Sequence, residues 1–485
     1  MALRADRPGP RGRLYWIETI TEFLWHEYIL YTLLGVGVLF TLWSGFGQYR
    51  AMTHGVAVIR GRYDRKGDPG AISHFQALSA ALSATVGLGN IAGVAIAVSM
   101  GGPGAVFWMW VTGAVGMALK MTEVTQAMLY RNLDDPDNPH GGAMWVASRG
   151  LARFHPSLRH VGVAIGALFC ITLLVSTFTG GNMFQAWNVA DISHEYFGLP
   201  PLAAGVIQMV LVGAVILGGI KRIGTVAGRL VPFMCGAYLL AGAFVIVSQA
   251  DRIPEMLRLI VVHAFAPQEA VGAFLGSAFA WVFLLGMRRA LFSNEAGQGS
   301  APIAHSAART DEPVREGVVA GLEPFIDTLV VCTVTALVIL LSGVWNRPPD
   351  IAWATGQAPQ VVAAADVAGQ PVSGRWTIGR VALPSGVDQD WRVGQQVFAV
   401  VAADGNAKRG GDRQRILGTI ERDGDAYFVA WEAIDSESRP SLSVSGVFRE
   451  YKGATLTAKA FDSLFGNLGA LVVPATAWLF ALSYS

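Results

Sequence analysis

The sequence predicts an all-α polytopic membrane protein with one small β-rich insert, on three observations. Of its 485 residues, 52% are hydrophobic and only 15% charged, a balance outside that of soluble domains. Nine stretches are apolar enough to cross a hydrocarbon core about 30 Å thick, which takes roughly 20 helical residues. Between Trp345 and Lys459 that pattern stops, and short runs of alternating polarity replace it.

The elements follow in order. Residues 1–27 form an N-terminal segment with arginines but no apolar run ending in a small-residue cleavage site, so no signal peptide is expected. The apolar stretches run over 28–46, 75–99, 103–130, 160–182, 201–219, 230–249, 271–308 (interrupted), 317–343 and 463–484. The first reads as peripheral and the others as core helices 1 to 8. The expected division is therefore a transmembrane domain over 28–343, an extracytoplasmic β-rich domain over 344–458, and core helix 8 within 459–485.

Loop charge sets the orientation, because Lys and Arg stay on the cytoplasmic side. One set of alternating loops carries Arg50, Arg60, Arg62, Arg65 and Lys66, then Arg131, Arg149, Arg153 and Arg159, then Lys221, Arg222 and Arg229, then Arg309 and Arg315. The other set is nearly bare, with only Arg252 and Arg258 after residue 250. Core helix 1 therefore starts in the cytoplasm, and by parity the N-terminal tail lies outside despite its arginines. The insert contains "RQRILGTIERDGDAYFVAWEAI", two strand-like halves around an Asp423-Gly424 turn signal. Lys and Arg number 36 against 35 Asp and Glu, with no basic footprint for nucleic acid. Cys170, Cys235 and Cys332 lie in apolar runs without CxxC spacing and read as buried thiols.

Polar groups inside the spans are costly and mark a pathway or a pairing. "SATVGLGNIAGVA" puts Ser83, Thr85, Gly87, Gly89, Asn90 and Gly93 in core helix 1. "GMRRALFSNEAGQGSAPIAHSAA" puts Arg288, Arg289, Ser293, Asn294, Glu295 and Gln298 in core helix 6, five helices later. Paired, Gly-interrupted segments in corresponding positions point to an inverted-repeat secondary transporter. A helix broken in lipid frees carbonyls and amides that only a cavity or ligand can satisfy. The carbonyls suit a hard cation and a half-helix N-terminus suits a carboxylate. A dinucleotide loop is excluded, since GLGNIAG has GxGxxxG spacing and no strand before it. Helix-packing notches account for Gly89 and Gly93 but not for Asn90. Arg288, Arg289 and Glu295 read as a structural ion-pair network. Weaker candidates are Asn182 and Gln185, three apart on one face; Asp327 with Thr328; and Lys120 with Glu123, taken as a structural pair.

The strings "FQALSAALSATVGLGNIAGVAIAVSMGGPGAVFWMWV", "GGAMWV", "GNMFQAWNVA", "LFSNEAGQGSAPIAHSAA" and "EPFIDTLVVCTVTALVI" resemble the alanine/glycine:cation symporter family of bacterial amino-acid carriers. The resemblance covers about residues 18–343 and resumes near 455. It implies sodium-coupled import of alanine or glycine through a multi-pass protein of the bacterial inner membrane. The implied fold is the leucine-transporter type, a five-plus-five inverted repeat with one extra N-terminal helix; the second repeat would be incomplete here, since core helix 8 meets the end of the chain. By the same resemblance the Thr85 carbonyl and the Asn90 side chain ligate one sodium beside Asp327. Carbonyls near Ser83 and Val86, with Ser483, form a second sodium site. Amides of Leu88 and Gly89 take the substrate carboxylate, Gln185 binds the substrate's polar groups, Ser293 and Asn294 close the site, and Phe178, Trp281 and Phe292 crowd it toward small substrates. Leu88 stands where the family often has Thr, Ala290 where it has Gly, and Tyr484 where Thr is common, the last change bearing on the second sodium site. Rival readings are a gated pore, and an amino-acid-binding sensor or inactive transporter. No HExxH, GxSxG or paired-carboxylate motif suggests an enzyme.

Overall fold

The computed structural model describes residues 26–484 apart from residue 66, residues 267–277 and short parts of the insert at 355, 366–369, 381, 384–390, 404–412 and 425. Nearly all of the expected N-terminal segment, Lys66 and the first part of the seventh stretch thus lie outside the described residues.

The helices are α1 (Glu27–Trp43), α2 (Gly47–Ile59), α3 (His74–Thr85), α4 (Gly89–Gly101), α5 (Gly104–Tyr130), α6 (Ala143–Phe154), α7 (Leu158–Phe197), α8 (Pro201–Ile216), α9 (Gly219–Ser248), α10 (Ile253–Phe265), α11 (Phe279–Asn294), α12 (Ala301–His305), α13 (Pro313–Ser342), α14 (Ala454–Phe465) and α15 (Leu468–Tyr484). Among the described residues, α5, α7, α9 and α13 are each long and apolar enough to cross a membrane. The pairs α1–α2 and α3–α4 qualify as bent spans, with bends of 71° and 50°. Four helices depart from the apolar stretches, the first being α2, which follows the 28–46 stretch. α6 and α10 carry several charged or polar residues on an otherwise apolar face, and α14 starts before residue 459.

α5 is the hub, packed by α1, α10, α11 and α13. Its glycines permit that approach. A Cβ at Gly104 would lie 2.1 Å from the His263 carbonyl oxygen, and one at Gly113 would lie 2.9 Å from Thr328 Cγ2. α7 and α9 instead leave most of their apolar surface uncovered, as lipid-facing helices do. Cys235 and Cys332 are buried, whereas Cys170, on outward-facing α7, is only half-buried, against the expectation for all three.

The insert has nine described strands: β1 (Ile351–Ala352), β2 (Val361–Ala365), β3 (Pro371–Ile378), β4 (Gln396–Ala402), β5 (Arg413–Asp423), β6 (Ala426–Trp431), β7 (Ile434–Asp435), β8 (Ser441–Leu442) and β9 (Gly446–Arg449). One antiparallel sheet runs β1-β9-β4-β5-β6 with β8 on β4, and the other runs β2-β3-β7. The β5–β6 turn holds Gly424 at φ +61°, the left-handed geometry that its Asp-Gly signal favours. Val361 and Ile378 of one sheet pack against Ala399, Val401 and Ile416 of the other, giving a small two-layer core.

Candidate functional site

Helix α3 starts on a capping box, with the Ser73 hydroxyl accepting from Gln76 N–H and the Gln76 side chain accepting from Ser73 N–H. It ends at Thr85, and Val86 turns extended at ψ 92°. The chain resumes helically at Gly89 in a short π-helical turn, Gly89–Gly93. Two more π-helical stretches, Thr177–Met183 in α7 and Phe325–Cys332 in α13, border the same region. Such turns loosen the backbone ladder and recur at functional sites.

The amides freed by the break have side-chain partners. Gly87 N–H donates to Asn90 Oδ1 at 2.8 Å, and Leu88 N–H donates to Gln185 Oε1 at 3.0 Å. Beyond the break the Ile91 carbonyl accepts the Thr457 hydroxyl of α14 at 3.1 Å. The Asn90 amide donates to both the carbonyl oxygen and Oδ1 of Asp327. Asp327 also accepts the hydroxyls of Ser293, at 2.9 Å, and Thr328, at 2.7 Å. Thr328 in turn accepts from Asn294 Nδ2 at 3.1 Å. All five side chains are fully buried or nearly so. One polar network thus joins the break to α11 and α13.

An aromatic wall closes the other side. A Cβ on Gly87 would approach Tyr484 Cδ2 to 2.9 Å and Gln185 Nε2 to 3.0 Å, and one on Gly181 would approach the Tyr484 ring to 3.1 Å. Phe292 packs edge-on against Phe184 at 5.2 Å, near Gly89. The Tyr484 hydroxyl donates to Glu295 Oε1 at 2.6 Å, and Ser300 donates to the other Glu295 oxygen. Glu295 is thus held by hydroxyls at both oxygens. Ser83 Oγ donates to the Ala80 carbonyl at 2.6 Å, while the Thr85 hydroxyl lies 3.5 Å from that of Ala81. Ser483 Oγ, on α15 against α3, is buried without a hydrogen-bond partner. An orphaned hydroxyl there suits an oxygen-seeking cation.

Two expectations are corrected by this geometry. Phe178 is 65% exposed on the outer face of α7 and takes no part in the cluster, because the π-helical stretch turns its ring outward while Gly181 faces in. Lys120 lies 3.2 Å from Glu323 of α13, a fully buried ion pair, in place of a pairing limited to Glu123 on its own helix. Sequence reasoning also missed His74, His305, Glu316 and Glu323, which lie together under the break. Two glutamates seven residues apart, hence on one face of an apolar helix, were the available signal.

The model of the Sodium:alanine symporter family matches residues 13–374. The chain is 42% identical over 332 residues to a sodium/alanine symporter, AgcS, of Methanococcus maripaludis, an alignment covering 68% of this chain and 71% of that protein. It is 37% identical to a probable sodium/glutamine symporter, GlnT, and 36% identical to an amino-acid carrier protein, AlsT, both of Bacillus subtilis; these cover 67% and 69% of this chain and 65% and 68% of theirs. Family and relatives are transporters and not enzymes, and with its several apolar helices the chain is a multi-pass membrane protein that belongs to the sodium:alanine symporter family.

Proposed function

We infer that this member of the family is a sodium-coupled amino-acid symporter, as the family and its relatives are described. We propose that it imports small neutral amino acids, alanine or glycine, by alternating access across a bacterial inner membrane, on a leucine-transporter-type inverted-repeat frame. The observation that carries this reading is the break at 86–88, where the Gly87 and Leu88 amides leave the helical ladder and donate to the Asn90 and Gln185 side chains. One sodium binds between the Thr85 carbonyl, Asn90 and Asp327. A second binds between the carbonyls of Ser83 and Val86 and the Ser483 hydroxyl. The substrate carboxylate takes the amides of Leu88 and Gly89 by displacing Gln185, which then turns to the substrate's polar groups. Ser293 and Asn294 hold the α11 side, and Tyr484 and Phe292 limit side-chain size.

Sodium beside the break offsets the carboxylate's charge, so each ligand raises the other's affinity by the same factor. The loops rich in arginine face the cytoplasm. The test is uptake of labelled alanine, glycine and glutamine into proteoliposomes with an inward sodium gradient. The reading expects accumulation of alanine or glycine and exchange in counterflow. Binding without sodium-driven accumulation would favour a sensor, and uptake without counterflow a pore.

A further inference from the structure

Beneath the break, five buried titratable side chains form a line that the transport reading does not use. His74 at the start of α3 meets Glu316 through Nδ1. The other oxygen of Glu316 meets Nδ1 of His305. Nε2 of His305 lies 2.7 Å from Glu323 Oε1, and the second oxygen of Glu323 lies 3.2 Å from Lys120 Nζ. His305, Glu316, Glu323 and Lys120 are fully buried and His74 is nearly so.

Both ring nitrogens of His305 thus face carboxylate oxygens. A neutral imidazole has one N–H to give, so two ionised glutamates would leave its other lone pair against theirs. Charge leads to the same result. Two carboxylates and one ammonium carry a net negative charge that burial penalises, and one proton on His305 cancels it. The two arginines facing this cluster are engaged elsewhere. Arg131, at the end of α5, donates to the carbonyls of Pro69, Ser306, Ala308 and Thr310. Arg315 pairs with Asp68, Asp311 and Glu312. Glu123, one turn beyond Lys120 on α5, lies close enough to act on the lysine's charge, as does Glu295. A route to solvent exists, because His74 Nε2 is 3.7 Å from the half-exposed carboxylate of Asp64. Asp64 lines a cavity of about 440 Å³ with Arg65, Asp68, Asp137 and Arg309.

We propose that His305 is a proton-binding site that clamps α3, α5, α12 and α13 together, loaded through Asp64 and His74. Proton binding holds α12 against α13, and proton loss at alkaline pH leaves Glu316 and Glu323 unbridged, which loosens α12 and with it the α3 segment packed on it. That this movement opens the cytoplasmic side rests on the transport reading; the proton site and the clamp do not.

The test is ¹⁵N NMR of the full chain in detergent, labelled at histidine nitrogen and alanine carbonyl carbon, because Ala304-His305 is the one Ala-His step in the sequence. At pH 8 His305 is expected to show two protonated ring nitrogens, and Glu323→Gln is expected to weaken its proton affinity at least tenfold. Hydrogen exchange over residues 74–85, corrected for the intrinsic effect of pH, is expected to rise at least tenfold as His305 loses its proton. A neutral His305 at pH 8, or exchange that stays flat across its titration, overturns the proposal. Neither readout depends on transport, so a failure here is distinct from a failure of the uptake assay.

Discussion

Substituting Gln185 by Glu tests whether the substrate must displace this side chain. In the structure Gln185 Oε1 accepts the Leu88 amide at 3.0 Å, the donor assigned to the substrate carboxylate. A neutral hydrogen bond contributes about 1 kcal/mol net, and one to a charged acceptor about 1.5–3 kcal/mol. The introduced carboxylate therefore holds the amide about 0.5–2 kcal/mol more tightly and also repels the incoming substrate. At about 1.4 kcal/mol per decade, competition alone costs roughly 2- to 30-fold in alanine affinity, and the repulsion adds to it. The assay is calorimetric titration of alanine at saturating sodium, with sodium titrated separately. Sodium affinity is expected to persist, and Gln185→Ala is expected to weaken alanine binding by a smaller factor. Alanine affinity within the error of the unaltered chain for Gln185→Glu would refute the displacement.

Asn90→Ala removes the acceptor of Gly87 N–H and two donors to Asp327; a buried unsatisfied group costs about 1–3 kcal/mol. Sodium-dependent alanine uptake should be abolished at unchanged expression, and normal uptake would remove Asn90 from the site. Lys120→Met leaves Glu323 with His305 as its one remaining charged contact and should destabilise the fold by about 3–5 kcal/mol, read as a lowered Tm in detergent. An unchanged Tm would show the pair to be idle. Gly104→Val drives a side chain into the His263 carbonyl and should remove the monodisperse peak in size-exclusion chromatography, whereas a normal profile would mean that α10 can retreat. Leucine and phenylalanine should not be taken up, because Tyr484 and Phe292 wall the cluster; robust uptake of either would contradict that role.

Helix-breaking residues act locally, which is why the interruption at Gly87 and Gly89 was legible in the sequence, as was the polar concentration around Ser293 and Asn294. The Asp-Gly turn of the insert was legible for the same reason. Partnerships across the chain were not. Glu123 is the nearest acid to Lys120 in sequence, yet the lysine's ion pair reaches Glu323 on another helix. His74 and Glu316 are 242 residues apart, and nothing in either local pattern announces the other. Phe178 was named for its bulk alone, and which way a ring points from a π-helical stretch is not written in its residue type. Helices α6 and α10 escaped notice because their charged residues dilute the apolar signal. Gln185 was named as a contact for the substrate, but only the folded chain puts its oxygen on Leu88 N–H.

Glu295 ends α11 at φ +53° and ψ 24°, a left-handed conformation that costs a residue with a Cβ roughly 1–2 kcal/mol. Its two carboxylate oxygens are tied to Ser300 and, across to α15, to Tyr484. The left-handed turn is thus held through its side chain from within its own segment and from a neighbouring helix. Because one of those ties comes from another helix, the position of a single aromatic ring on α15 bears on the direction the chain takes between α11 and α12.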